Sequence, residues 1–228
     1  MLNRLKKELE SLKDAEKAKN LQRFFKTGKG QYAEGDIFLG VIVPKQRKVA
    51  SQYRHLSLSD IQKMLSSKIH EHRLTALFIL IHKYQRADDK EKRGIVDFYL
   101  RNSKNINNWD LVDLSAPNIL GDFLLNKNRK ILYKLAKGHL WEKRIAVLAS
   151  FAFIRKNDFK DSLKIAEILL KDKHDLIHKA VGWMLREIGK QNQDIEEKFL
   201  KKHCKTMPRT MLRYAIEKFP ESKRKTYL

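Results

Sequence analysis

Apolar residues recur along the chain at the three- and four-residue spacing of an α-helix, and strand-like alternation is almost absent. Leu74, Leu77, Phe78, Ile81 and Tyr84 follow this rule, as do Ile177, Ala180, Val181, Met184, Leu185 and Ile188. The pattern predicts helices over 2–12, 14–26, 44–55, 58–67, 70–85, 88–101, 108–124, 128–137, 141–156, 159–171, 174–190, 194–203 and 207–219. Ser57, Ser59 and the pair Asp88–Asp89 stand where helix N-caps are needed. Pro117 is expected to bend its helix. The one glycine-rich stretch, KTGKGQYAEGDIFLG over 26–40, reads as a long connecting loop; no strand precedes it and it lacks P-loop spacing.

The strongest helices begin near residues 70, 108, 141, 174 and 207, an interval of about 33 to 38 residues with one helical pair in each. That period predicts a single all-α domain over 1–228, an α-solenoid of HEAT-like repeats forming a concave basic groove. A basic residue stands near the start of most of these helices: Arg73, Arg144, Lys179 and Arg209. If equivalent helices line the concave side, these cations form a stripe along one groove. Otherwise they are ordinary solvated helix charge.

Charge sharpens this picture. The 228 residues carry 49 Lys and Arg against 27 Asp and Glu, a net charge of +22. Such a surplus repels itself in the compact state unless a polyanion neutralises it, and nucleic acid is the commonest such partner. An anionic membrane surface is the rival, but the longest apolar runs, such as ALFILI over 76–81, fall far short of the roughly 18 residues that span a bilayer. The single cysteine, Cys204, rules out a disulfide within the chain and favours a reducing, cytoplasmic setting.

Few positions offer chemistry. Trp109 and Asp113 stand at i and i+4, one above the other on a helix, where an aromatic face and a carboxylate could cradle a cation. Arg144 lies in an otherwise apolar helix, so it must meet a carboxylate or reach a phosphate. Trp183 points away from the core stripe of its helix, on the flank of Leu176 and Lys179, open either to packing or to a ligand. His174 and His178 have metal-ligand spacing but no third ligand, and no metal is expected. Cys204 reads as incidental.

Three strings occur in order on successive repeats: Trp109-Asp110-Leu111-Val112-Asp113, Trp141-Glu142-Lys143-Arg144, and Lys179-Ala180-Val181-Gly182-Trp183-Met184-Leu185-Arg186-Glu187. Together they resemble the AlkD-like family of bacterial DNA alkylation-repair glycosylases, and the segments 24–50 and 207–221 are similar to members of it as well. The resemblance implies a solenoid that wraps double-stranded DNA and hydrolyses the N-glycosidic bond of cationic 3- and 7-alkylpurines without a bound cofactor. It places the catalytic carboxylate on Asp113, the flanking aromatics on Trp109 and Trp183, and the catalytic-site arginine on Arg144. Arg73, Lys179, Arg209, Phe24 and Arg47 are the expected DNA contacts, and the protein is expected to act as a monomer.

The chain also departs from the family pattern. Phe24 or Phe25 stands where a tyrosine is expected near the DNA, and Asp175 and Leu176 stand where aromatics are typical. The loop over 26–40 is longer and richer in glycine. Two other readings therefore stay open: a non-catalytic solenoid that binds damaged or branched DNA, and a helical scaffold for an acidic protein.

Overall fold

Fifteen α-helices, one π-helical turn and one 3-10 turn make up the helical structure of the protein, seen here in a computed structural model that describes residues 1–228. They are α1 (Leu2–Ser11), α2 (Ala15–Phe24), α3 (Val43–Gln52), α4 (Leu58–Leu65), α5 (His70–Arg86), α6 (Asp89–Arg101) and α7 (Trp109–Ser115), followed by α8 (Lys130–Leu135), α9 (Leu140–Ala149) and α10 (Phe151–Ile154). The last five are α11 (Lys160–Leu169), α12 (Asp175–Gln191), α13 (Gln193–His203), α14 (Arg209–Ala215) and α15 (Glu221–Lys225). Every helix expected from the apolar period is present, and the all-helical class is confirmed. No helix is long and apolar enough to cross a membrane.

Two of the expected caps act as such. The Ser57 hydroxyl accepts the Asp60 N–H at 3.1 Å. Asp88 accepts the Glu91 N–H at 2.8 Å, and the Glu91 carboxylate accepts the Asp88 N–H at 3.1 Å, a reciprocal box that closes the start of α6.

The contact pattern divides the chain into two compact units, Met1–Leu111 and Val112–Leu228. In the first, α5 packs against α3, α4 and α6. It is buried from His70 through Ile81, so it takes its neighbours on all sides rather than along one stripe. Such burial leaves its charged residues in need of partners. Glu71 finds them in the glycine-rich segment: its carboxylate accepts the backbone N–H groups of Leu39 at 2.9 Å, Gly40 at 2.8 Å and Val41 at 3.3 Å. The loop is further tied by the Ile37 N–H donating to Lys68 O at 3.0 Å and the His70 N–H donating to Ile37 O at 2.8 Å. Gly40 has φ +85°, and a Cβ there would strike the Asp14 carbonyl, so only glycine fits.

In the second unit, α12 packs against α9, α11, α13 and α14. Helices α9, α12 and α14 begin at 140, 175 and 209, one sequence repeat apart, and α12 packs directly on the other two. Repeat-to-repeat stacking of this kind is the packing logic of a solenoid.

Three elements differ from expectation. The helix expected over 108–124 ends as α7 at Ser115 and continues as a π-helical turn, Pro117–Gly121. Proline has no N–H for the i−4 carbonyl, and the ladder resumes one residue longer, with the Gly121 N–H donating to Ala116 O at 2.9 Å. The helix expected over 141–156 breaks into α9 and α10 at Ser150, whose hydroxyl donates to Val147 O at 2.7 Å. Helix α15, ESKRK, lacks any apolar period, and the hydrophobic pattern does not predict it.

Candidate active site and cation positions

The second unit contains a two-point ion pair. Arg144, from the apolar helix α9, donates from Nε to Asp113 Oδ1 at 2.8 Å and from Nη2 to Asp113 Oδ2 at 2.7 Å. Its Nη1 donates to the carbonyl of Leu176, at the start of α12, at 2.5 Å. All three guanidinium nitrogens are thus engaged, and the residue is only 5% exposed. Of the two outcomes open to a cation in that apolar surface, the carboxylate is the one the structure shows. A parallel fork of this kind fixes the plane of a carboxylate as well as its position. The immediate partner of Arg144 is therefore Asp113.

Trp183 lies half-buried on α12, as its position off the core stripe implied. Its indole N–H donates to Glu187 Oε1 at 3.0 Å, and its ring lies 5.8 Å from that of Phe151. The preceding glycine has a packing reason. A Cβ on Gly182 would meet the Met211 carbonyl and lie 2.6 Å from Tyr214 Cβ, so glycine lets α12 and α14 approach closely.

In the first unit, Trp109 is fixed from several directions. Its ring stacks on Phe25 at 5.0 Å with planes 17° apart, and Phe24 meets it edge-on at 5.9 Å. Its indole N–H donates to the Tyr32 hydroxyl at 3.2 Å. Phe24 is 64% exposed although it touches two aromatic rings, an open apolar face beside Trp109. The next residue, Asp110, accepts from buried His70 Nε2 at 2.7 Å, while His70 Nδ1 faces Asp36 at 3.3 Å. Burial opposes a charge on His70, but the Asp110 carboxylate and both hydrogen bonds outweigh it, and the pKa is pushed up to about 9. Asp36 and Tyr32 do not stand out in the sequence, and His70 does so only beside His72, which faces a different side of the same helix and so makes no metal pair with it. A histidine opening the helix that carries the apolar run 76–81 was the one available signal for them.

The expected cation stripe does not survive intact. Arg73 is buried, pairs with Asp36 at 2.5 Å and donates to Ser67 O at 2.7 Å, so it serves the interior of the first unit and offers nothing to a phosphate. Arg144 is likewise committed to Asp113. Lys179 and Arg209 remain on the surface, Lys179 beside Asp175 at 3.0 Å and Arg209 donating to Leu228 O at 2.8 Å. Arg47 is also exposed, with its guanidinium 4.2 Å above the Phe78 ring. No group of three or more His, Cys, Asp or Glu side chains is arranged to hold a metal ion.

Residues 5–219 match the model of a family described as DNA alkylation repair enzyme. Among solved structures the chain is similar to a "Predicted DNA alkylation repair enzyme from Enterococcus faecalis", with a TM-score of 0.70 and 16% identity, covering 92% of this chain and 97% of that one. No curated protein matches. At that identity the structural likeness speaks for the fold, whereas the family match covers nearly the whole sequence. The chain belongs to the family of DNA alkylation repair enzymes.

Proposed function

We propose that the protein hydrolyses the N-glycosidic bond of cationic N3- and N7-alkylated purines in duplex DNA, with Asp113 as the catalytic carboxylate. The supporting observation is the two-point hold of Arg144 on Asp113. Alkylation at N3 or N7 leaves the purine positively charged and already a good leaving group. The enzyme's task is then to stabilise an oxocarbenium-like sugar and to place a water. An anion fixed beforehand in position and plane does this without reorganising during the reaction. A carboxylate offers about four acceptor sites, so a forked arginine does not saturate it. In this reading Arg144 is a positioning residue acting through Asp113. Trp109, one helical turn before Asp113 on α7, and Trp183 present ring faces to the sugar and the cationic base. Lys179, Arg209, Arg47 and Phe24 are the remaining DNA contacts, and no cofactor is required.

A second reading draws on the same pair. Asp113 is 13% exposed and Arg144 6% in their side chains, which suits a structural ion pair in a duplex-binding protein without catalysis. Incubation of the protein with duplex DNA carrying 7-methylguanine separates the two. Free 7-methylguanine and an abasic site are the expected products. Tight duplex binding with no base released would support the binder instead.

A further inference from the structure

The first unit contains a cavity that the proposed chemistry does not use. Its volume is about 640 Å³, and it is bounded by Arg54 and His55 after α3, Leu58 of α4, the last turn of α5, and α6. That size falls within the range of small-molecule sites and far exceeds a lone phosphate. Four cations stand around it, Arg54, Lys83, Arg86 and Arg101, against one acidic residue, Glu91. The Glu91 carboxylate is already committed to the backbone N–H of Asp88 at the start of α6. Arg54, Arg86 and Arg101 are exposed, so their guanidinium groups are open to a ligand. Their field is felt nearby: burial first, then Arg86, Arg47 and Arg54, hold the pKa of His82 below its ordinary value.

Lys83, Arg86 and Arg101 stand in last turns of helices, where a cation also offsets the carbonyl end of the dipole. Arg54 lies beyond the end of α3, and its Nε donates to His55 Nε2 at 3.1 Å. Leu58, Ala87 and Ile95 supply an apolar portion of the lining.

Gly94 is the second observation. It sits in the middle of α6, an exposed helix interior where glycine is less favourable than alanine. A Cβ added there meets nothing within 4 Å, so no packing requires the glycine. It lines the cavity, and any larger side chain would fill part of it.

We propose that this cavity binds a nucleotide-sized phosphate ester, with the base against the apolar lining and the phosphate held by the surrounding guanidinium groups. Arginine forks suit phosphate oxygens and guanidinium planes stack on bases, which fits a set of cations that is three-quarters arginine. The shared chemistry is met by a free nucleotide or by one residue of a polynucleotide strand.

The test uses deoxyadenosine 5′-monophosphate, inorganic phosphate and a single-stranded hexadeoxynucleotide as probes, titrated calorimetrically against the full chain. Gly94→Leu is the central variant, because it fills the cavity without altering charge and raises helix propensity, so thermal unfolding should show it folded. We expect the mononucleotide to bind saturably and more tightly than inorganic phosphate, with affinity reduced at least tenfold by Gly94→Leu and by the double variant Arg54→Ser, Arg101→Ser. A Gly94-dependent loss seen with the hexamer alone would identify the ligand as a strand and still support the site. If Gly94→Leu changes the binding of neither the mononucleotide nor the hexamer, the proposal is overturned.

Discussion

Arg144 and Asp113 are joined by two parallel hydrogen bonds, 2.8 and 2.7 Å long, while the third nitrogen of the guanidinium is anchored to the Leu176 carbonyl. The residues come from α7 and α9, and the carbonyl from α12, so one side chain orients three segments of the second unit. Breaking such a pair on one side leaves a buried charge without its partner, at a cost of about 3–5 kcal/mol. Arg144→Ala should lower the urea midpoint accordingly. Arg144→Lys should recover only part of it, since an ammonium cannot form the fork. Equal midpoints for wild type and Arg144→Ala would show that the pair contributes nothing.

Gly182 tests the close approach of α12 and α14 separately from any charge. Gly182→Ala must push against the Met211 carbonyl, which is backbone and cannot swing aside. We expect a loss of about 1–3 kcal/mol by equilibrium unfolding, although alanine is the better helix former. A stabilised variant would mean that the helices separate at no cost.

The buried His70 predicts a particular response to alkali. Its pKa in the folded protein, about 9, lies above the ordinary 6.5. The stabilisation it brings is therefore complete below pH 6.5, declines between the two values and is gone as pH passes through about 9. The amount is on the order of 3 kcal/mol. Unfolding free energies measured from pH 6 to 10 should fall across this window in the wild type, and His70→Gln should remove most of that slope. A slope unchanged in the variant would place its origin elsewhere.

Much of this was legible in the residues. The apolar period located the start of each expected helix within a few residues, because burial of one helical face dictates it. Arg144 could be recognised as needing a carboxylate, since an apolar helix cannot hold a bare guanidinium. What stayed hidden depends on partners distant in sequence. Arg73 looked like Lys179 and Arg209, a cation near a helix start, and only the packing of Asp36 against it, 37 residues away, makes it interior. Asp110 points away from Asp113 on a helical wheel, and only the packing shows that His70, 40 residues back, holds it. The π-helical turn after Pro117 reflects a missing donor whose effect on the ladder no periodicity records.

The role given to Asp113 is tested most directly by single-turnover release of 7-methylguanine from methylated duplex DNA, comparing wild type with Asp113→Asn. Duplex binding and the circular dichroism of each protein should be recorded alongside. Asparagine preserves the shape of the side chain and removes its charge. The expected result is release by the wild type and a loss of at least a hundredfold in the variant, on the order of one electrostatic stabiliser removed, while the duplex stays bound. Release by Asp113→Asn at the wild-type rate would contradict the account.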